Sequence, residues 1–224
     1  MALLLAGAPD SIVENVQTNG YQPIGLWLAE NCYHSVVRDC YLSTQKFSAF
    51  ISSGHSGDIL VENVHAAFQY GFGFIGVFMQ DQAKFLRCYV DSGPLGGFIF
   101  TIGDTPTISI DSSAVTSESG DAPGYYCAVA FSSNGSVSIR DSVFSQTAAV
   151  PCVIIANPPE DALNFAEIAA SAFWPATGSS CIVSHVGNAP FKPTMISGAK
   201  YDASGVPWAA SGDTSNVYLL SVAG

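Results

Sequence analysis

Six segments of this sequence repeat one another at a nearly constant spacing, and this repeat constrains the fold more than any other feature. They occupy residues 11–16, 35–40, 59–64, 84–89, 108–113 and 137–142. Their central apolar residues are spaced 24, 24, 25, 24 and 29 positions apart and are Val13, Val37, Val61, Leu86, Ile110 and Ile139. A repeat of this length with alternating apolar residues predicts a solenoid in which each repeat forms one stacked coil.

A second apolar run lies in each repeat between these segments. The runs are 24–29, 49–52, 74–79, 97–102, 127–131, 152–156 and 181–184, and each ends in Gly, Asn, Asp, Ser or Pro residues. Apolar runs bounded by such turn residues are typical of β-strands. We therefore expect at least two strands in each coil, with a third too short to recognise. Residues 3–5 predict a strand of an incomplete first coil, and 194–196 and 216–222 predict late strands.

Two columns of the aligned repeat predict how the coils hold their register. The residue after each centre alternates in charge through Glu14, Arg38, Glu62, Arg87, Asp111 and Arg140. Parallel strands in register lie about 4.8 Å apart, so these side chains are predicted to form an outward ion-pair ladder with a structural role. The next column reads Asn15, Asp39, Asn63, Cys88, Ser112 and Asp141 and predicts a stack of turn residues.

The coil length and the Val-x-Asn/Asp turn columns resemble the right-handed parallel β-helix of the pectin-lyase-like superfamily. The resemblance implies an all-β, right-handed, single-stranded parallel β-helix of about seven to eight coils. We expect one domain over residues 1–224, with regular coils over 11–157 and less regular coils over 158–224. For the seventh coil we place Phe165 26 residues after Ile139, although residues 157–170 also fit a capped helix start. The superfamily includes lyases, hydrolases, epimerases, phage tailspikes and adhesins, so the resemblance is informative about fold and weak about activity.

The amino-acid composition limits which classes of binding partner are expected. Apolar residues make up 48% of the chain and charged residues 11%, which suits the continuous core of a solenoid. The apolar runs are far shorter than the roughly 20 residues of a membrane span, so membrane insertion is not expected. A net charge of −11 with seven basic residues argues against nucleic acid, anionic membrane surfaces and acidic polysaccharides. A neutral polysaccharide or other glycan is the expected partner.

Cysteines and chain ends leave alternatives open. Cys127, Cys152 and Cys181 recur at the start of successive second strands, so we expect them to stack, either as buried free thiols or with at least one disulfide. The first residues lack the basic region of a signal peptide. Neither end carries an obvious cap, so we expect a fragment of a longer chain or ends covered by an oligomer such as a trimer. The fold resemblance implies an extracellular or virion-associated protein.

Acidic residues gather in the turns that follow the second strands. Asp58, Asp81 and Asp104 are the candidate catalytic residues there, and His55 and Lys84 are candidate substrate contacts. Carboxylates on adjacent coils would lie about 5 Å apart and those on alternate coils about 10 Å, which brackets the separations used in glycoside hydrolysis. The alternative is that these side chains are solvated turn formers. Asp81 and Asp104 could also bind calcium. We otherwise predict neither a metal site nor a cofactor.

A second candidate surface follows the first strand of the repeat. His65 is a candidate for acid–base catalysis, and Tyr41 occupies the same column one coil earlier. Phe68 and Tyr70 belong to an alternating aromatic and glycine run that could present rings to sugars or could pack in the core. Tyr125 lies in the longest insertion, 116–126, and is a candidate for the edge of a cleft.

Two functions fit these observations. The first is a carbohydrate-active enzyme, such as a glycoside hydrolase, that cleaves or modifies a polysaccharide through a carboxylate pair on a lateral face. The second is a non-catalytic solenoid, such as a glycan-binding adhesin, a tail-fibre segment or a structural module. The sequence contains no nucleophile elbow, phosphate loop, dinucleotide fingerprint or zinc motif.

Overall fold

A computed structural model shows an all-β solenoid of about seven turns. It describes residues 1–43, 45–67, 70–91, 96–101, 107–116, 128–132, 135–145, 149–156, 165–186, 194–201, 206–209 and 217–220, and these contain no helix. The strands in chain order are β1 (Leu3–Ala6), β2 (Ile12–Glu14), β3 (Gln17–Thr18), β4 (Ile24–Ala29), β5 (Val36–Ser43), β6 (Ser48–Ser53), β7 (Ile59–Ala67), β8 (Phe72–Val77), β9 (Gln82–Leu86), β10 (Tyr89–Asp91), β11 (Gly96–Thr101), β12 (Thr107–Asp111), β13 (Ala114–Thr116), β14 (Val129–Ser132), β15 (Ser136–Arg140), β16 (Val143–Ser145), β17 (Val153–Ala156), β18 (Phe165–Ala169), β19 (Ala172–Trp174), β20 (Val183–Val186), β21 (Thr194–Ser197), β22 (Lys200–Tyr201) and β23 (Val217–Leu220).

The strands form three faces, all with parallel pairing. The first face is an eight-stranded sheet in the order β1-β4-β6-β8-β11-β14-β17-β20, and it contains the second strands predicted from the sequence. A fifteen-stranded sheet forms the other two faces, because β5 and β7 run around the corner between them. The second face consists of the repeated segments. The third face consists of β3, β10, β13, β16, β19, β22 and the ends of β5 and β7. The predicted short third strand is therefore confirmed.

The corner between the second and third faces is a stack of left-handed residues. Their φ values lie between 48° and 57° at Asn15, Asp39, Asn63, Arg87, Ser112, Asp141 and Ala170. Asn and Asp adopt this conformation more readily than most residues, and the Asn63 amide also donates a 2.6 Å hydrogen bond to Asp39 Oδ1. The predicted turn stack is confirmed except in the fourth coil, where Arg87 occupies it and Cys88 is buried.

The register of the fourth coil differs by one residue from the sequence prediction. Phe85, and not Leu86, pairs with Val61 and Ile110. Phe85 is fully buried, whereas Leu86 is half-buried. The reason is geometric: the central position faces the core, and the larger aromatic side chain fills it.

This shift interrupts the predicted charge ladder. Arg38 pairs as predicted with Glu14, at 2.6 Å from Nη2 to Oε2. Leu86 takes the position next to Glu62, although the Arg87 guanidinium still reaches Glu62 from the turn. Beyond it, Lys84 Nζ lies 3.8 Å from Asp111 Oδ2, and Arg140 bonds to Glu167 at 2.6 Å. In the last three of these ion pairs, the two partners therefore belong to different columns of the aligned coils.

The seventh coil is a strand, and its predicted alignment was wrong by three residues. Ile168 pairs with Ile139, and it is fully buried. The segment 157–164, where a helix start was the alternative, lies outside the described residues. The late strands are confirmed as β21 and β23, and the early strand as β1.

The core is a continuous column of apolar side chains enclosed by the three faces. On the first face, aligned positions contribute Leu26, Phe50, Phe74, Phe98, Val129, Val153 and Val183. The Phe74 and Phe98 rings stack with centroids 5.0 Å apart, and Phe85 packs edge-on against both at 5.6 Å. This aromatic cluster lies directly inside the coils that carry the candidate sites.

The five cysteines in the described part of the chain, Cys32, Cys40, Cys88, Cys152 and Cys181, are buried thiols that form no disulfide. The predicted stack is wrong for two of them, because the register of β17 and β20 aligns Cys152 with Ile182 rather than with Cys181. Cys127 lies outside the described residues. Burial raises the pKa of the Cys88 thiol to about 12, so this thiol stays protonated at neutral pH.

Candidate functional site

The third face places a histidine between two tyrosines. The register of β3, β5, β7, β10 and β13 aligns Gln17, Tyr41, His65, Tyr89 and Ala114 in one outward column. Val64 and Ala66, the neighbours of His65 along β7, point inward and are buried. The period-2 alternation of the strand therefore directs His65 to the surface.

Aromatic contacts fix the imidazole ring. The Tyr41 ring meets His65 edge-on with centroids 5.1 Å apart, and the Tyr89 ring lies at 4.7 Å on the other side. The Tyr89 hydroxyl lies 2.9 Å from Thr116 Oγ1 in the next coil. His65 is consequently held between an edge-on tyrosine ring and a tilted tyrosine ring from the two adjacent coils.

A carboxylate completes this arrangement. His65 Nε2 lies 3.0 Å from Asp91 Oδ2, and the side chains of His65 and Asp91 are 35% and 17% exposed. Asp91 follows Tyr89 by two residues on the same side of β10, and the register places it beside the small, buried Ala67. His65 Nδ1 makes no hydrogen bond within the described part of the chain. We call Tyr41, His65, Tyr89, Asp91 and Thr116 the histidine face.

An exposed aromatic cluster lies on the corner between the third and first faces. Tyr21, Phe47 and Tyr70 come from three consecutive coils, and their exposed fractions are 65%, 48% and 52%. The Tyr21 and Tyr70 rings have centroids 5.7 Å apart, with their hydroxyls 3.5 Å apart, and Lys46 Nζ lies 5.9 Å from the Tyr21 centroid. We call Tyr21, Lys46, Phe47 and Tyr70 the aromatic corner.

Backbone hydrogen bonds between coils support the aromatic corner. The amides of Phe47 and Tyr70 donate to the carbonyls of Pro23 and Gln45 at 2.9 and 3.0 Å. A Cβ atom at Gly71 would lie 2.2 Å from the Phe47 carbonyl oxygen, so the close approach of these coils requires glycine. The rings are therefore carried by a well-defined corner.

The neighbouring aromatic candidates have different positions. Phe74 is fully buried, which confirms core packing for this end of the run, and Phe72 packs edge-on against Phe47 at 5.9 Å. Phe68 lies outside the described residues.

The acidic turns contain a column in which an imidazole alternates with carboxylates. His34 lies between two carboxylates on adjacent coils, with Nδ1 3.2 Å from Asp10 Oδ1 and Nε2 3.5 Å from Asp58 Oδ2. All three side chains are exposed, by 62% for His34 and by 77% and 43% for the two acids. Left-handed backbone at Asp10, His34 and Asp58 forms this turn. Asp58 is thus paired with a histidine one coil earlier.

The remaining acidic-turn candidates have mainly structural contacts. Asp81 packs against Gly57, and its carbonyl accepts the Thr107 amide at 2.7 Å. His55 Nδ1 lies 2.9 Å from Gln80 Nε2. Lys84 reaches Asp111, as described above. Asp104 and Tyr125 lie outside the described residues, so the carboxylate pair and the calcium site remain predictions.

The part of the chain that the structure describes contains no group of three or more His, Cys, Asp or Glu side chains suited to a metal ion. Within the same residues, no helix has the length and apolar character needed to cross a membrane.

Sequence reasoning found His65 and Tyr41 but missed Tyr89, Asp91 and Thr116. Tyr89 could have been recognised, since Tyr41, His65 and Tyr89 recur at intervals of 24 residues. Asp91 and Thr116 lie in the column two residues further along, and the sequence carries no repeated motif there.

The fold defines the class of protein as a parallel β-solenoid. Comparison with known proteins gives no matching family model, no similar curated protein and no similar solved structure. The histidine face and the aromatic corner are therefore the two surfaces of the described residues from which a function can be proposed.

Proposed function

We propose that this protein is a glycan-binding β-solenoid of the pectin-lyase-like kind that holds a neutral polysaccharide on its aromatic corner. The observation that carries the proposal is the presence of three exposed aromatic rings on three consecutive coils. Single exposed apolar side chains are ordinary, whereas a cluster of them indicates an interaction surface. Tyrosine rings suit such a surface because they combine an apolar face with a polar hydroxyl.

The shape and charge of the corner favour a sugar chain. The Tyr21 and Tyr70 rings come from coils two steps apart but converge to 5.7 Å between centroids, so with Phe47 they form one compact apolar patch. The apolar faces of pyranose rings can pack on Tyr21, Phe47 and Tyr70, while Lys46 and the tyrosine hydroxyls can bond to sugar hydroxyls. A net charge of −11 disfavours polyanionic chains. An extracellular or virion-associated location, where polysaccharides are encountered, belongs to the same proposal.

Affinity electrophoresis through gels that contain neutral or acidic polysaccharides tests the proposal. The wild-type protein is expected to be retarded by a neutral polysaccharide. Tyr70→Ala and Tyr21→Ala should each weaken retardation about 30-fold, since truncating a tyrosine anchor typically costs about 2 kcal/mol. Tyr218→Ala is the matched control, because Tyr218 on β23 is as exposed as Tyr70, at 52%.

The expected result for the control is unchanged retardation. If Tyr218→Ala weakens retardation as much as Tyr70→Ala, the assignment to the aromatic corner is wrong. If no neutral polysaccharide retards the wild-type protein, the proposed function is wrong.

A further inference from the structure

We infer that the histidine face is a catalytic site at which His65 acts as a general base in the hydrolysis of carboxylic esters on the bound glycan. The inference rests on the proposed function, because it takes the glycan as the carrier of the ester. It assigns to the protein an activity in addition to binding. The substrate class is a neutral polysaccharide with O-acyl substituents such as acetyl groups.

The geometry of His65 and Asp91 is that of a base and its orienting carboxylate. Asp91 Oδ2 lies 3.0 Å from His65 Nε2, which places the ring proton on Nε2 and leaves the lone pair on Nδ1. Asp91 is largely buried, at 17% exposed, so its charge is weakly screened. The tyrosine rings on both sides keep the imidazole from rotating away.

The residues of this face favour an ester over a glycosidic bond. Glycoside hydrolysis uses two carboxyl groups that flank the bond. In the described part of the third face, Asp91 is the single outward carboxylate near His65, and it is engaged with the imidazole. Elimination from a uronate would need a nearby cation. Lys200, in the column of His65, is five coils away, or about 24 Å. Ester hydrolysis needs one base and one water molecule.

The proposed step balances without a co-reactant. The water oxygen forms a bond to the ester carbonyl carbon while His65 Nδ1 takes a proton from the water, and Asp91 stabilises the imidazolium. The tetrahedral intermediate then collapses, and the bond between the carbonyl carbon and the sugar oxygen breaks. The proton on Nδ1 passes to the sugar oxygen. The products are a carboxylic acid and a free sugar hydroxyl, and nothing is oxidised or reduced.

The histidine face and the aromatic corner can serve the same polymer. Tyr70 follows His65 by five positions along the chain, so their Cα atoms lie at most about 18 Å apart. The aromatic corner adjoins the third face, which carries His65. A chain bound on the aromatic corner can therefore extend across His65.

The test is acetate release from acetylated glucomannan and from 4-nitrophenyl acetate by the full chain. The wild-type protein should release acetate from both, with a pH–rate profile that rises through a single ionisation. His65→Gln should lower the rate about 100-fold or more, and Asp91→Asn should lower it by at least about tenfold. His34→Gln is the matched control, since His34 is also a surface histidine paired with a carboxylate, and its rate should equal that of the wild type.

Four results would overturn the inference. The first is a wild-type protein that binds glucomannan but releases no acetate from either substrate. The second is a His65→Gln variant that hydrolyses the ester at the wild-type rate. The third is a His34→Gln variant that loses as much hydrolytic activity as His65→Gln. A pH-independent wild-type rate would overturn it without any variant, so the test does not depend on the folding of a mutant. Failure of the wild-type protein to bind any neutral polysaccharide would instead refute the proposed function.

Discussion

Replacing Phe85 with alanine tests the register of the solenoid at the coils that carry both sites. Phe85 is fully buried, and its ring centroid lies within 5.3–6.4 Å of those of Phe50, Phe74, Phe98 and Phe100. Truncating a buried phenylalanine costs about 3–5 kcal/mol, and the lost aromatic pairs place Phe85→Ala at the upper end of this range. For a chain of this length, about 5 kcal/mol corresponds to a fall in melting temperature of roughly 10–20 °C.

Leu86→Ala is the matched control, because Leu86 is half-buried. Its truncation should lower the free energy of unfolding by about 1 kcal/mol, since much of its apolar surface is already in water. Both variants are compared by urea titration and by thermal unfolding followed by circular dichroism. If Leu86→Ala were as destabilising as Phe85→Ala, the one-residue shift in the fourth coil would be refuted.

Four further predictions concern Gly71, Cys88 and Arg38. Gly71→Ala should lower the free energy of unfolding by about 1–3 kcal/mol, because the new Cβ would lie 2.2 Å from the Phe47 carbonyl oxygen. An unchanged thermal melt would contradict this close approach. In the native protein at pH 8, Cys88 should not react with a thiol-specific maleimide, whereas in denaturant it should. Peptide mass spectrometry measures the labelling, and labelling of Cys88 in the native protein would mean that the thiol is not buried. Its pKa is about 12 in the folded chain, against an ordinary value of 9.0, so the folded state keeps a proton that the unfolded state loses. The Cys88 contribution to stability should therefore decline between pH 9 and 12, a decline that Cys88→Ala should remove from the pH dependence of urea unfolding. Arg38→Gln should change the melting temperature much less than Phe85→Ala, since its ion pair with Glu14 is exposed, and a comparable fall would show that the pair has more than a surface role.

The fold was largely predictable because every coil has the same two structural requirements. One apolar centre must face the core, and one residue after it must turn the chain. In the first three coils the core-facing residue is the same type, Val13, Val37 and Val61, so the spacing of these valines reveals the coils directly. The prediction failed where two adjacent residues could fill the central position, as at Phe85 and Leu86. The alternating charges of Glu62, Arg87 and Asp111 then favoured Leu86 as the central residue, although Phe85 is the residue that faces the core.

The later coil shows the same limit. Phe165 and Ile168 are both apolar, and the coil that precedes them contains the segment 157–164, whose length the repeat does not specify. Register in such a coil is decided by backbone pairing with Ile139 and by burial. Neither quantity can be read from a local pattern.

The candidate sites were only partly predictable. His65 and Tyr41 were recognised because a strict 24-residue interval joins them. The role of Asp91 depends on a contact with His65 on the adjacent coil, made beside the small side chain of Ala67. The aromatic corner likewise combines Tyr21, Phe47 and Tyr70, which share no motif and become neighbours only when coils stack.

A crystal structure of the protein with a neutral oligosaccharide would show directly where the sugar binds. We expect density for pyranose rings packed on Tyr21, Phe47 and Tyr70, with the chain running toward His65. Density for the sugar at the Asp10–His34–Asp58 turns, or anywhere else away from the aromatic corner, would contradict this expectation.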